Sequence, residues 1–318
     1  MPNPLVMDEI ELIARLTRSL PTNASTVVGP GDDCALMDLG LADQWVLFKT
    51  DAVVEGVHFA KGAAPEKIGH KALARCLSDV AAVAGTPTHA LITLALPADF
   101  DPVYVEAIYA GLKKLAGRHG LAIVGGETTS NPERMLISVC VLGTVVKGRS
   151  PLRSGAKPGD AIFVTGDLGG AGSGKHLDFE PRLSEARWLT DNFSIHAMMD
   201  LSDGLAGDLR HMLKASEVGA ELLSDAIPIS RAAKLAARAG SPARPPLLAA
   251  LTDGEDFELL FTVASQEAVP LLDAWKKRFP ELRLSCVGRI TAEPGLTIRD
   301  SKGVQPLAVH GYVHFQKS

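Results

Sequence analysis

The chain has 318 residues, 46% hydrophobic and 22% charged, with a formal net charge of -5. That is enough for two ordinary α/β domains with a real core, and the composition excludes a disordered chain. The charge gives no electrostatic case for nucleic acid or an acidic membrane surface, so an anionic ligand must be held by metals, backbone amides or a few placed cations.

The cysteines Cys34, Cys76, Cys140 and Cys286 lie far apart without metal-ligand spacing, and read as free thiols in a reducing cytoplasm. Met1 to Glu9 lacks the positive start and apolar core of a signal peptide. No stretch approaches the ~18 apolar residues of a membrane span. A cytoplasmic protein is expected.

In chain order, Asp8 to Leu16 has the spacing of a short helix, and Pro21-Thr22-Asn23 breaks the chain before an apolar run into Gly29-Pro30-Gly31. Trp45 to Thr50 reads as a buried strand ending at Asp51. Glu66 to Ala84 is predicted helical, because Ile68, Ala72, Cys76, Val80 and Val83 recur at helical spacing. At ~100° per residue, Asp79 lies about 20° from Ile68, inside the apolar arc. A carboxylate there needs pairing, either by a metal or by an N–H or arginine partner.

His89 to Leu96 reads as a strand stopped by Pro97, and Pro102 to Arg118 as a helix. Leu121 to Val124 reads as a strand ending in Gly125-Gly126-Glu127-Thr128-Thr129, and Arg134 to Val146 as a long β-type run. Arg149 to Gly159 has linker composition, which divides the chain into 1–150 and 151–318. The second half opens with a strand, Ala161 to Thr165, then a glycine-rich loop and a helix from Leu183 to Thr190. Leu205, Leu209, Met212 and Leu213 make one helical face. Ala220 to Leu223, Phe257 to Val263 and Leu282 to Val287 read as strands, and Glu267 to Lys277 as a helix. The alternation predicts α/β or α+β layers in both halves.

Gly169-Gly170-Ala171-Gly172-Ser173-Gly174-Lys175 nearly completes a phosphate-cradling loop, but His176 stands where that mechanism needs Ser or Thr to hold magnesium. A mobile loop near a ligand fits better. The acidic stretches say more. Gly31-Asp32-Asp33, Thr50-Asp51, Ser78-Asp79 and Asp200-Leu201-Ser202-Asp203-Gly204 sit at strand ends or turns, where distant parts of a chain meet in one crevice. Carboxylates about 4 Å apart repel by roughly 4 kcal/mol at an effective dielectric of about 20, so converged ones need cations. Hard oxygen ligands select magnesium or manganese. The nine histidines show no zinc pattern.

These stretches, with Val54-Glu55-Gly56-Val57-His58-Phe59, Lys71-Ala72-Leu73, Arg153-Ser154-Gly155-Ala156-Lys157-Pro158-Gly159-Asp160 and Gly254-Glu255-Asp256-Phe257-Glu258-Leu259-Leu260, resemble the motifs of the thiamine-monophosphate kinases. The resemblance runs from about Gly31 to Gly311-Tyr312. It implies the two-domain fold of aminoimidazole ribonucleotide synthetase, with mixed sheets covered by helices, dimerising through the N-terminal domain. It also implies transfer of the ATP γ-phosphoryl group to thiamine monophosphate, assisted by several Mg2+ ions. By the same resemblance Asp33, Thr50, Asp51, Asp79, Asp200 and Asp203 match magnesium positions. Tyr109, Gly126, Arg149 and Ser202 match ATP contacts, and His58, Glu255 and Tyr312 match thiamine-substrate contacts. No general base is expected, because the attacking phosphate oxygen is already largely ionised.

Each residue also has a plainer reading: His58 as a packed loop histidine, the tyrosines as core or surface contacts, Glu255 as a turn residue, Arg149 as solvated. Three departures stand out. Glu127 replaces the family's usual Asp after two glycines and is expected to bind metal and ATP with altered reach; Lys49 replaces a small hydroxyl residue; Asp253 replaces a glycine. Two alternatives follow: a sister ATP-using enzyme with another acceptor, or a non-catalytic homologue that binds nucleotide or thiamine phosphate.

Overall fold

The computed structural model describes residues 9–239 and 244–312. Asp8, with the Met1–Asp8 stretch, lies outside the described residues. The first half comprises helices α1 (Glu9–Thr17), α2 (Pro65–Ala82) and α3 (Pro102–Arg118) with strands β1 (Thr26–Val28), β2 (Ala35–Met37), β3 (Gln44–Val54), β4 (Thr86–Leu96), β5 (Ala122–Ser130) and β6 (Leu136–Val146). The strands form one sheet in the order β1-β2-β3-β6-β4-β5. All neighbours are antiparallel except β4 and β5, which are parallel.

β3 does not stop at Asp51. It pairs with β6 from Gln44↔Val146 to Val54↔Leu136, and this ladder satisfies the backbone past the acidic residue. β5 likewise continues through Gly125–Thr129, held by β4. Because strand side chains alternate, Leu47, Lys49, Asp51 and Val53 share the helix-covered face, while Phe48 and Thr50 share the outer one.

The second half comprises β7 (Ala161–Thr165), α4 (Leu183–Asn192), β8 (Ile195–Asp200), α5 (Leu205–Ser216), β9 (Gly219–Leu223), α6 (Arg231–Ala239), α7 (Pro246–Thr252), β10 (Leu259–Val263), α8 (Ala268–Arg278), β11 (Leu284–Thr291), β12 (Gly295–Asp300) and β13 (Gly303–Pro306). Its mixed sheet runs β13-β12-β9-β11-β7-β10-β8. On one face Phe163 and Phe261 stack at 5.5 Å and join Leu189, Leu271 and Trp275. On the other, Ile162, Val164 and Leu260 pack against Leu205, Leu209 and Met212 of α5 and Leu251 of α7.

α2 ties the halves together. It starts at Pro65, whose fixed φ suits a first helical turn, and is buried on most sides. It packs on β3 and β6, against α3, and against α4 and β8 of the other half. One continuous apolar core results, containing Ile68, Leu73 and Leu77 together with Leu183, Met198 and Phe257. Among the described residues no helix is long and apolar enough to cross a membrane.

Candidate active site

The interdomain position of α2 decides where the chemistry lies. Lys71, Arg75, Ser78 and Asp79 are spaced i, i+4, i+7, i+8 and make one polar stripe along an otherwise apolar helix. Around this stripe gather Asp33 from the turn before β2, Lys49 and Asp51 from the inner face of β3, and Asp200 from the end of β8. Asp33, Asp79 and Asp200 are all buried, and each offers an oxygen within 4.8 Å of the others.

Three like charges at that separation need compensation. Lys49 Nζ lies 2.8 Å from Asp79 Oδ1, Arg153 Nε donates to Asp33 Oδ1 at 3.1 Å, and Ser78 Oγ donates to Asp200 Oδ2 at 2.6 Å. Arg75 Nε stands 3.6 Å from Asp51 Oδ2. Compensation is incomplete. Burial, then the Asp33 charge, pushes the Asp200 carboxyl up to about 6. Burial also drives Asp79 well above the carboxylate range, against the pull of Lys49. Burial disfavours the Lys49 ammonium, but Asp79 and then Asp51 outweigh it and raise its pKa. Asp33 Oδ2 is buried without a hydrogen-bond partner. An orphaned carboxylate oxygen in an all-oxygen cluster fits a hard divalent cation such as magnesium.

Beside the cluster opens a cavity of about 550 Å³, lined in part by His58, Arg75, Ser202, Asp203, Glu255 and Tyr312. Two turns build its wall. Glu255 N donates to Ser202 O at 2.7 Å and Phe257 N to Leu201 O at 2.8 Å, which docks the Gly254–Phe257 segment on the loop after β8. Glu255 and Phe257 take left-handed φ values of 67° and 50°. For residues with side chains this costs of order 1–3 kcal/mol each, and such strain gathers at ligand sites. It is held here by Lys71, whose buried Nζ lies 2.6 Å from Glu255 Oε1 and donates to His58 O at 2.6 Å. Phe257 stacks on Phe179 at 4.1 Å. His58 Nδ1 accepts from Val54 N at 3.0 Å, and Tyr312 N donates to Asp203 O at 2.8 Å.

The glycine-rich loop is no phosphate cradle of the P-loop kind. Lys175 Nζ is 2.8 Å from the buried Glu258, which also binds Arg182. Asp253 Oδ2 accepts from Gly170 N at 2.8 Å, and Asp256 Oδ2 from Gly169 N at 2.8 Å. Gly170, Gly172 and Ser173 thereby reach the cavity wall. Asp253 has a definite task, since it also pairs with Arg244.

One chain therefore brings together Asp33, Asp51, Asp79 and Asp200 around the stripe, and Ser202, Asp203, His58, Glu255 and Tyr312 around the cavity. It does not bring the other expected residues there. Thr50 donates its hydroxyl to Val139 O at 3.2 Å from the outer face. Glu127 sits on the edge strand β5, opposite outward-facing Thr93, where its carboxylate accepts from Thr128 N. The two-residue period of the strand is the reason for both. Gly126 lies against Ile92 of β4, Tyr109 packs partly against the core on α3, and Arg149 pairs at 3.2 Å with Asp191 of α4. A larger hollow of about 680 Å³, lined by residues such as Lys61, Phe100 and Arg134, contains none of the expected site residues. Lys71 and Arg153 stand in motifs that carry the resemblance but have no role assigned by sequence, and Arg75 stands outside them; the signal for all three is a polar stripe on an apolar helix and a cation inside a linker motif.

The two halves each match a family model: the N-terminal domain of the AIR synthase related proteins over residues 31–145 and their C-terminal domain over 157–301. The chain is 40% identical to the thiamine-monophosphate kinase of Rhodopirellula baltica over 307 residues, 94% of this chain and 93% of that one. It is 35% identical to that of Escherichia coli K12, over 96% and 98% of the two chains. The solved structure of AaThiL complexed with AMPPCP and TMP superposes with a TM-score of 0.81 at 31% identity, covering 96% and 97%. Within the AIR synthase related proteins, the chain belongs to the thiamine-monophosphate kinase family.

Proposed function

We propose that this protein transfers the γ-phosphoryl group of ATP to the phosphate of thiamine monophosphate, giving thiamine diphosphate, with several magnesium ions as cofactor. The observation that carries this is the buried Asp33–Asp79–Asp200 cluster with its orphaned oxygen, set beside a cavity that collects His58, Glu255 and Tyr312. The relatives named above support the acceptor.

Asp33, Asp51, Asp79, Asp200 and Asp203 would hold the metal. Magnesium bound there supplies charge neutralisation for two phosphates that repel one another. The chain's own residues do the positioning. Lys71 fixes Glu255 and the His58 loop, Ser78 orients Asp200, and Arg153 orients Asp33. Arg75 presents a guanidinium at the cavity wall, suited to a phosphate. Such a site needs in-line placement more than proton transfer, so no general base is assigned.

In this reading residues 1–150 bind ATP and metal and pair two copies, and residues 151–318 complete the nucleotide and substrate site. Tyr109, Gly126, Glu127 and Arg149 would meet ATP from outside the cavity, and Thr50 and Glu127 metal from the outer face. Free cysteines support a cytoplasmic setting. Incubation with ATP, magnesium and thiamine monophosphate should yield thiamine diphosphate by chromatography, with free thiamine as the parallel acceptor. Asp203→Asn should abolish turnover while leaving the far-UV CD spectrum unchanged. ATP binding without product would favour a non-catalytic binding homologue; turnover with another acceptor would favour a sister enzyme.

A further inference from the structure

We propose that the Lys49 ammonium is a resident cation of the carboxylate cluster, taking the place of one divalent ion at Asp79 Oδ1 and leaving the other Asp79 oxygen to the metal, so that this chain binds one metal ion fewer than the same site without the lysine. The inference rests on reading the cluster as the magnesium site.

Strand parity sends Lys49 inward with Leu47, Asp51 and Val53, onto the polar stripe of α2. Its neighbours on that face are the buried, apolar Leu47 on one side and Asp51, which stands beside Arg75, on the other, so a lysine is not there for solubility. Its Nζ instead meets Asp79 Oδ1 at 2.8 Å, a distance at which an ammonium and a hydrated metal ion compete for one oxygen. Of the three clustered carboxylates, Asp79 has Lys49 and Asp33 has Arg153 at contact, while Asp200 accepts from the Ser78 hydroxyl. A second cation on the Lys49-bound oxygen would meet a like charge at contact range. The free acceptor capacity lies elsewhere, at Asp33 Oδ2. A fixed ammonium also differs in kind from a metal. It carries a single charge, offers three donors and cannot dissociate, so this part of the site stays neutralised at any metal concentration.

The test is metal counting on the purified full-length protein, using manganese as the probe and electron paramagnetic resonance as the readout, with and without a non-hydrolysable ATP analogue. Lys49→Ser should bind one more manganese ion per chain, or bind it at least about tenfold more tightly. Lys49→Arg should keep the wild-type count, and Asp79→Asn in the Lys49→Ser background should abolish the gain. If Lys49→Ser melts early, its melting temperature should recover with manganese and not with sodium chloride of equal ionic strength. Equal manganese counts and affinities in wild type and Lys49→Ser would overturn the proposal. Absence of manganese binding in both would overturn the magnesium reading itself, and this inference with it.

Discussion

Asp256 is almost fully buried, and burial pushes its carboxyl up to about 7, while Lys175 and the Gly169 N–H favour its charge. Its unfolded value is near 3.8, so the folded state binds a proton that the unfolded state gives up as pH rises from about 4 to 7. Stability contributed by this group is therefore present below pH 4 and lost on the way to 7. Asp256→Asn keeps an oxygen for Gly169 and removes the titration. Its stability relative to wild type should improve by a few kcal/mol, at about 1.4 kcal/mol per unit, between pH 4 and pH 7.5 in urea denaturation. A constant difference across that range would show that Asp256 does not titrate there. The residue scale is also where the sequence was most readable. The inward angle of Asp79 on α2 followed from helical periodicity alone, and the structure supplies a lysine and two carboxylate neighbours rather than an arginine. Asp253, marked by sequence only as a departure, and Lys71, quoted only within a motif, had partners that were not legible, because these lie 83 and 184 residues away in sequence, at Gly170 and Glu255.

Among the elements, α2 and α3 depend on close backbone approach. A Cβ on Gly111 would lie 1.9 Å from the Glu66 carbonyl oxygen, and one on Gly69 1.9 Å from that of Ile108. Those carbonyls are backbone atoms and cannot swing aside. Gly117, on the same helix α3, has open space around the same position. Gly111→Ala should therefore destabilise by about 3 kcal/mol or more, as overpacking does. Gly117→Ala should be neutral or stabilise by up to about 1 kcal/mol through helix propensity. Thermal melts of the two variants check this, and equal shifts would mean that the helices are not so closely apposed. Such pairs of glycines carry no periodic signal, so the contact was not legible, although both helices were. α3 and β7 fell on the expected residues because proline or turn residues bound them. β3 and β5 ran longer than expected because pairing partners, not local composition, decide where a strand stops. The short strands β1, β2 and β13 have too few residues for a period to be read.

At the scale of the whole molecule, the N-terminal sheet has one face covered by α2 and α3 and another that no helix of the described residues covers. On the open face Phe48 and Leu142 are cross-strand partners at 45% and 37% exposure, with Leu91 at 47% on the neighbouring strand. Strand β6 reads Leu-Ile-Ser-Val-Cys-Val-Leu-Gly-Thr-Val-Val, with apolar residues on both sides of its pleat. That is the pattern of a strand covered twice, whereas a sheet facing water on one side alternates with polar residues. A contiguous apolar patch on a finished fold marks an interface. The expected pairing of two chains through the N-terminal half is therefore best tested here. Phe48→Glu places a charge at the centre of the patch while its backbone ladder to β6 is untouched. The wild-type chain should run as a dimer in light scattering after size exclusion, and Phe48→Glu as a folded monomer with unchanged far-UV CD. Thr50 and Glu127 lie on this same face, so loss of dimer should also weaken ATP binding if, as proposed, they act from the outer side. A monomeric variant with full nucleotide affinity would separate the two, leaving the pairing structural and the ATP site complete within one chain.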